Sequence, residues 1–430
     1  MPPADTIALG LSLPLWSVLP FGGLLLSIAL FPVFAPGFWV RHFGKVSLAF
    51  GLPVAGYFLV RAPRELIHLA MEYVSFLMIL AALFIVSGGI LLRGTMRAAP
   101  GMNCAFLAVG AVLSNVLGTT GASMVLIRPL LRANAGRKRV AHVVIFFIFI
   151  VANIGGVLSA IGDPPLFLGY LKGVPFFWTL LHVGPMWLLV CGAVIGVFYL
   201  VDRRAFAIEQ LAGGEEGAGN GAAAGVASRA DGEKTPFSVE GKINLPLLGA
   251  VIAAVFLPTP WRETAMIAAA AVSVWRTPAW VREENEFTYH PIQEVAILFA
   301  GIFATMLPAM LILKTRGGEL GVTDPAHFFW AAGMLSSFLD NAPTYLVIFS
   351  LAQGMGGPDA VAGVSAPILA AISAGAVFMG ANSYIGNAPN FMVKAIAEEA
   401  GVRMPSFLGY MAWSCCVLLP VFGLATLIFF

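Results

Sequence analysis

Long apolar stretches separated by short polar connections dominate this chain. Several stretches approach or reach the roughly 20 residues that a helix needs to cross the hydrocarbon of a bilayer. They include 74–92, 140–158, 180–201 and 407–430. The residues are 59% hydrophobic and only 11% charged, far from the averages of soluble domains. The pattern predicts an all-α polytopic membrane protein whose surroundings are the lipid bilayer.

Two of the apolar stretches are interrupted at matching places. Residues 161–167 read Ile-Gly-Asp-Pro-Pro-Leu-Phe, and residues 385–391 read Ile-Gly-Asn-Ala-Pro-Asn-Phe. Glycine and proline break a helix, and backbone groups freed at membrane depth are tolerated only where they line a polar cavity. Corresponding breaks in two halves indicate the binding site of a transporter. The sequence therefore predicts a secondary transporter with two broken helices.

Positive residues orient the spans, because Lys and Arg concentrate in cytoplasmic loops. Arg93 and Arg97, and then Arg128 and Arg132, fall on the same side of the membrane by this rule. The segment between them, about 100–127, is too short to cross twice, so it is predicted to be a re-entrant hairpin that turns within its Ser-Asn-Val-Leu-Gly-Thr-Thr-Gly run.

The same reasoning predicts a second hairpin at about 326–352, turning at an Asp-Asn-Ala-Pro sequence. The whole chain then has about 10 transmembrane helices plus two re-entrant hairpins. We expect a multi-pass protein of the bacterial inner (plasma) membrane.

The two halves match by residue as well as by hydropathy. The first repeat is assigned to 1–202 and the second to 243–430, joined at 203–242 by a glycine-rich, flexible cytoplasmic linker. With five spans in each half, the second copy is inverted. The matched residues are 222 to 226 positions apart: His68 and Glu72 with His290 and Glu294, Asn115 with Asn341, Gly162 with Gly386, and Lys172 with Lys394.

Ionisable groups inside spans are costly and are functional candidates by default. Asp163 lies at the first broken helix and Asp340 at the turn of the second hairpin. Their counterparts in the other half are neutral: Asn387, and Asn115 or its neighbour Ser114. Oxygen ligands with net negative charge and no Lys or Arg among them suit a small hard cation or a proton. The alternative is that each carboxylate only caps a half-helix.

Further polar residues cluster at the interruptions. The predicted cation- or proton-binding set comprises Asp163, Asp340, Asn115, Asn341, Thr119, Thr344 and Asn387. Glu72 and Glu294, each one helical turn after His68 or His290, are secondary proton-relay candidates, with interfacial stabilisation as the alternative. Asn153 is expected only to permit close helix packing. Lys172 and Lys394 are expected to extend to the membrane surface.

The sequence motifs of several enzyme and ligand-binding classes are absent from this chain. The chain has no phosphate-binding loop, hydrolase serine motif or zinc ligand set, and its four cysteines show no metal-ligand spacing. We therefore expect no enzyme activity, no cofactor, no resident metal and no nucleic-acid partner. Transport must use an ion gradient or a separate energy-coupling subunit.

At the hairpins and broken helices the chain resembles the ion transporter superfamily. This group includes NhaD-type sodium/proton antiporters, citrate and dicarboxylate transporters, and arsenite permeases. The resemblance rests on Ser114-Asn115, on Asp340-Asn341-Ala342-Pro343, and on the two breaks, and it extends from about residue 45 to the end. It implies a homodimer with a scaffold domain and a mobile transport domain. Dicarboxylate members carry Ser-Asn-Thr in both hairpins, and the departure from it here looks more similar to the antiporter branch.

These observations favour exchange of Na⁺, or Li⁺, for H⁺, with the ions competing at Asp163 and Asp340. A Na⁺- or H⁺-coupled symporter for citrate, a dicarboxylate or another anion is the first alternative. A second is the membrane subunit of an arsenite pump. A channel is disfavoured because it does not need inverted pairs of broken helices.

Overall fold

A computed structural model describes residues 4–94, 98–219, 238–356 and 360–430. The helices of the first half are α1 (Ala4–Ser12), α2 (Leu19–Phe34), α3 (Pro36–Arg61), α4 (Pro63–Ser87), α5 (Pro100–Ala133), α6 (Ala141–Ile150), α7 (Pro164–Leu171) and α8 (Trp178–Gly219). Those of the second half are α9 (Asn244–Ala254), α10 (Trp261–Arg276), α11 (Ala279–Glu284), α12 (His290–Arg316), α13 (Pro325–Ser336), α14 (Asn341–Met355), α15 (Ala366–Met379), α16 (Ala388–Glu399) and α17 (Phe407–Phe429). Four short strands complete the described structure: β1 (Leu91–Arg93), β2 (Ser238–Glu240), β3 (Ala360–Val361) and β4 (Val364–Ser365).

The helices confirm an all-α polytopic membrane protein. Within the described residues, eight helical segments are long and apolar enough to cross a membrane, and one of them, α5, folds back on itself. Two shorter helices are also apolar, namely α9 and the first part of the second broken helix, α15. If α9, the less apolar α10 and each broken helix are counted as one crossing each, the described helices supply five crossings in each half.

The first predicted hairpin is present within α5. Gly118 has φ 72° and ψ 157°, which interrupts the helix and reverses the chain. Asn103, near the start of α5, and Asn134, just past its end, exchange two side-chain hydrogen bonds of 3.1 and 2.9 Å. These residues would be about 45 Å apart along a straight helix, so the two arms must lie antiparallel.

The second predicted hairpin consists of α13 and α14, which pack against each other. Both helices begin with an aspartate cap. Asp324 accepts a hydrogen bond from the backbone N–H of Ala326, and Asp340 accepts one from Ala342. Residues 337–340 make the turn between the two helices, so Asp340 lies at the tip of this hairpin.

Both predicted broken helices are observed. The first consists of α6, an irregular stretch with a 3₁₀ turn at Ile154–Leu158, and α7. The second consists of α15, a 3₁₀ turn at Gly380–Asn382, and α16. At each break a glycine approaches backbone so closely that a Cβ would overlap a carbonyl oxygen: Gly162 against Gly156, and Gly386 against Gly380.

Equivalent hydrogen bonds define how the two repeats correspond. Ser159 donates to the carbonyl of Asn115 at 2.7 Å, and Ser383 donates to the carbonyl of Ser337 at 2.5 Å. Asn115 is therefore equivalent to Ser337, and by the same offset Gly118 is equivalent to Asp340. The expected match of Asn115 with Asn341 is wrong by about one helical turn, because two Asn residues near a turn were aligned by type rather than by position.

Both ends of the segment 203–242 have regular secondary structure. Its first part, as far as Gly219, continues α8, and β2 near its end pairs antiparallel with β1. The expectation of a flexible linker fails for these parts, since helix and strand extend into the segment from both sides. Residues 220–237 lie outside the described residues, and the placement of the repeat boundary there remains a prediction.

The basic end of the molecule is defined by Arg93 and Arg128 with their acidic partners. Arg93 pairs with Glu284, at the end of α11, and Arg128 pairs with Glu286 at 2.7 Å. The guanidinium of Arg93 lowers the pKa of Glu284. The end of α4 and the start of α12 therefore both lie at this basic end.

The apolar halves of the broken helices form the centre of the core. Residues 142–150 of α6 and 368–379 of α15 are buried on every side. A helix that is apolar all round must be enclosed by other helices. The enclosed α6 and α15 place both breaks at the centre of the molecule, where the hairpin tips also arrive.

Candidate cation-binding site

Asp163 is the residue around which the central site is built. It immediately precedes Pro164 and Pro165, and proline favours the first turn of a helix. Its backbone is extended, with φ −144° and ψ 146°, yet its side chain makes no capping bond to α7. Only 1% of the residue is exposed. Capping alone therefore does not explain this carboxylate, which points away from its own helix.

Three side chains donate hydrogen bonds to the Asp163 carboxylate. Thr119 Oγ1 donates to Oδ1 at 2.7 Å, and Asn387 Nδ2 donates to the same oxygen at 3.1 Å. Asn341 Nδ2 donates to Oδ2. The structure thus brings four of the predicted site residues together, one from each hairpin tip and one from each break.

Each of these residues also marks the N-terminus of a helix. Thr119 follows Gly118 at the start of the second arm of α5, Asn341 begins α14, and Asp163 and Asn387 precede α7 and α16. A helix N-terminus carries roughly +0.5 of an elementary charge. Four such ends together offset about two negative charges, which explains how buried carboxylates are tolerated without Lys or Arg.

The site offers oxygen ligands as well as donors. The side-chain Oδ1 of Asn341 is buried and has no hydrogen-bond partner among the described residues. Thr119, Asn341 and Asn387 each carry an oxygen on the group that now donates to Asp163. A half-turn of each amide, or reorientation of the Thr119 hydroxyl, presents oxygen instead of N–H or O–H to an ion at the carboxylate, so the set suits a hard cation.

Asp340 lies beside this set but has a different environment. It is half-buried, and its carboxylate caps α14 by accepting from the Ala342 N–H at 3.0 Å. Thr344 donates its hydroxyl to the Asp340 carbonyl at 3.0 Å. The capping interpretation therefore applies to Asp340, whereas the Thr344 hydroxyl satisfies backbone and, among the described residues, makes no hydrogen bond to Asp163.

A cleft connects the site with the basic end. Its walls come from the end of α4, the start of α12, the tip of the first hairpin and the start of α16. Among the described residues, its lining includes Asp340, Asn387, Thr119 and Thr120, and no Lys or Arg. Beyond the arginines of the basic end, an ion in the cleft therefore meets described side chains that are neutral or acidic.

Asn115, a predicted ligand, serves the backbone in this structure. Its Nδ2 donates to the carbonyls of Ala111 and Gly155, and its Oδ1 accepts from the Leu158 N–H. These bonds attach the first hairpin to the first break, and among the described residues Asn115 makes no hydrogen bond to the Asp163 carboxylate. Its assignment to the ion site remains a prediction.

Comparison with known proteins identifies the family of this chain. A family model described as putative citrate transport matches residues 10–430, almost the whole chain. The chain belongs to this family. No curated protein matches it. Membership of a transporter family agrees with the multi-pass helical fold, and it shows a secondary transporter rather than an enzyme.

The secondary proton-relay candidates occupy unequal environments in this family member. Glu72 is buried, accepts from Lys172 Nζ at 2.7 Å and lies 3.1 Å from His68. Glu294 is more exposed and lies 4.0 Å from His290. The expectation that Lys172 extends to the surface is wrong, because a buried carboxylate faces it across the helix interface.

Asn153 has a larger structural part than the sequence indicated. Its Nδ2 donates to Asn390 Oδ1 at 2.6 Å, which joins the two breaks directly, and Asn387 Nδ2 donates to the Ala152 carbonyl at 3.0 Å. Asn153 was expected only to permit packing. The sequence does carry a signal for this contact between the breaks: Asn153 is a polar amide in an otherwise apolar stretch that leads to the first break.

Proposed function

We propose that this protein is a cation-coupled secondary transporter that exchanges Na⁺, or Li⁺, for H⁺ at Asp163. The observation that carries the proposal is the buried Asp163 carboxylate, which is surrounded by neutral donors from both hairpins and the second break. An ionised carboxylate removed from water needs a compensating charge or a proton. The helix N-termini supply this compensation while the site is empty, and a proton or a cation can then bind the carboxylate itself.

Coupling follows from competition for one carboxylate. With a proton bound, Asp163 is neutral and the amide and hydroxyl groups hydrogen-bond around it. With a cation bound, the proton has left, and the oxygens of Thr119, Asn341 and Asn387 complete the ion's ligands. Because the two states exclude each other, movement of the loaded site across the membrane exchanges one ion for the other.

Cation-coupled citrate transport is the second candidate, and two observations favour it. The family is described as putative citrate transport. Four helix N-termini converge on the site, and such ends favour anionic groups. In this form, a cation bound at Asp163 turns the nearly balanced site positive, so citrate binds after the cation.

Flux measurements on purified protein in liposomes separate the two candidates. A pH-sensitive dye is enclosed, and Na⁺, Li⁺, K⁺ and citrate are added in turn outside. Proton movement with Na⁺ or Li⁺ alone supports exchange. Proton or Na⁺ movement that requires citrate supports symport, and the absence of any cation dependence contradicts both.

The cellular setting belongs to the same proposal. We place the protein in the bacterial inner membrane as a homodimer, with the segment 203–242 and the basic end in the cytoplasm. The positive residues at this end support the orientation. In this orientation the cleft is open to the cytoplasm.

A further inference from the structure

A second groove opens at the basic end and is separate from the cleft that leads to Asp163. Its walls are the end of α5, residues 134–142, part of α8, the end of α16 and residues 400–403, with one side chain from α17. Among the described residues, the groove and the cleft share no lining residue. The groove therefore does not belong to the candidate cation site.

Basic side chains outnumber acidic ones around this groove. The described lining includes Arg128, Arg132, Arg137, Lys138, Arg139 and Arg403, against Glu284, Glu286 and Glu399. Glu286 pairs with Arg128, and Glu284 pairs with Arg93. Arg139 and Arg403 are exposed, and their side chains have no ion pair within the part of the chain that the structure describes. Even with Glu399 set against these two arginines, the groove keeps an excess of positive charge.

Arg137 adds a buried donor to the wall of the groove. Its side chain is 5% exposed, with Nη1 2.6 Å from Asp202 and Nε 3.1 Å from Glu209. Asn103 and His142 also contact Asp202, at 2.9 and 2.8 Å, so this carboxylate is held in place and positions the guanidinium. Nη2 of Arg137 is buried and has no hydrogen-bond partner among the described residues. A guanidinium fork of this kind matches the oxygens of a phosphate group.

The groove lies at the depth where three helices meet the membrane surface. Residues 137–139 are all basic and shortly precede the apolar α6. Val201, in the lining, is followed directly by the charged residues 202–204, and Arg403 shortly precedes the apolar α17. Charged residues that begin or end three apolar segments at one place mark the headgroup region of a bilayer.

Apolar side chains in the same groove indicate which kind of anion it accepts. The described lining also contains Val140, Val201, Ile396, Val402 and Trp413. Trp413 is half-buried and packs edge-on against Phe146, with ring centroids 6.2 Å apart. Tryptophan is enriched where membrane and water meet. A small soluble anion uses only the basic residues, whereas a phospholipid uses these with its phosphate and the apolar residues with its chains.

We propose that this groove binds the headgroup of an anionic phospholipid, with Arg139 and Arg403 attracting the phosphate and Trp413 beside the start of an acyl chain. Basic pockets between transmembrane helices bind anionic headgroups in the same way. Since both repeats contribute to the lining, a bound lipid contacts both and stabilises the fold. The groove is separate from Asp163, so the proposal holds whichever substrate the protein transports.

Thermal unfolding of the purified protein in detergent measures this binding without transport. Dihexanoyl phosphatidylglycerol, dihexanoyl phosphatidylcholine and inorganic phosphate are titrated separately. A molecule that binds only the folded state raises the Tm as its concentration increases. We expect phosphatidylglycerol to raise the Tm saturably and the other two to have no saturable effect. Arg139→Gln/Arg403→Gln should need about tenfold more phosphatidylglycerol for half of the effect.

Arg41→Gln/Arg276→Gln is the matched control. Arg41, near the start of α3, and Arg276, at the end of α10, are exposed arginines at the same end of the molecule and outside the groove. This variant should have the parent's half-effect concentration. Arg139→Lys/Arg403→Lys should stay within about threefold of the parent, because lysine attracts phosphate as a point charge.

Several outcomes overturn the proposal. They are the absence of any phosphatidylglycerol effect, an equal effect of phosphatidylcholine, and an equal loss in the control variant. Inorganic phosphate that acts as strongly as the lipid, and loses this effect in Arg139→Gln/Arg403→Gln, shows a site for a free anion instead. Arg139→Gln and Arg403→Gln alone should each give an intermediate loss, so the test remains decisive if the double variant fails to fold.

Discussion

Replacement of Asp163 by Asn removes the central charge and keeps the shape of the side chain. The new amide nitrogen is a hydrogen-bond donor and is placed against other donors. In one orientation it faces Asn341 Nδ2, and in the other it faces Thr119 Oγ1 and Asn387 Nδ2. The unpartnered Oδ1 of Asn341 allows that amide to rotate and accept a bond instead. We therefore expect the Asp163→Asn variant to fold and insert, with the hydrogen-bond network around the site largely preserved.

The loss of cation binding is expected to be large. Truncating one partner of a buried charge pair weakens binding by about 2–5 kcal/mol. At about 1.4 kcal/mol for each factor of ten, a loss of about 3 kcal/mol weakens the apparent affinity for Na⁺ or Li⁺ more than 100-fold. The four helix N-termini then lack a carboxylate to offset, which further disfavours a bound cation.

The assay is dye-monitored proton flux in liposomes as a function of Na⁺ concentration. Asp324→Asn is the matched control, since Asp324 lies at an exposed helix start and Asn caps a helix as well as Asp does. The control should keep the parent's half-saturating concentration. A half-saturating Na⁺ concentration in Asp163→Asn within about threefold of the parent would refute the assignment of this carboxylate.

Three further predictions follow from the same geometry. Asp340→Asn preserves the cap of α14 and removes a charge beside the site, so its half-saturating Na⁺ concentration should rise by less than that of Asp163→Asn in the same flux assay. Exchange measured with equal pH on both sides should fall as that pH is lowered, because protons displace the cation; a flat profile between pH 8 and roughly pH 5 contradicts competition. Gly162→Ala forces a Cβ onto the Gly156 carbonyl and should destabilise the fold in detergent by about 1–3 kcal/mol or more. Gly196→Ala is the control, because nothing lies within 4 Å of its added Cβ. Equal melting curves of the two variants contradict the close approach.

Much of the architecture follows from one-dimensional patterns. Apolar length predicts the spans, and the positions of Lys and Arg predict that 100–127 must turn back, as Gly118 and the Asn103–Asn134 bonds confirm. The two Gly-Pro interruptions predict the breaks. Each of these features depends on local chemistry: the absence of a side chain, a missing N–H, or the cost of moving a charge through lipid.

The partners of individual side chains could not be predicted in the same way. The type of a polar residue near a turn does not tell which way it points, so Asn115 was grouped with the ion ligands although it bonds to backbone. Lys172 has the length to reach the surface or to meet a buried acid, and only the packing of α7 on α4 decides between them. Asn153 and Asn390 are far apart in sequence, and their contact depends on how the repeats meet.

Proton release on cation binding tests the central claim most directly. Na⁺ or Li⁺ is added to the purified protein in weakly buffered detergent solution at a pH where the site still holds its proton. We expect the addition to release up to about one proton per chain, K⁺ to release none, and the Asp163→Asn variant to release none. Equal release from the parent and the variant, or no release from the parent at any pH between roughly 5 and 8, contradicts competition between cation and proton at Asp163.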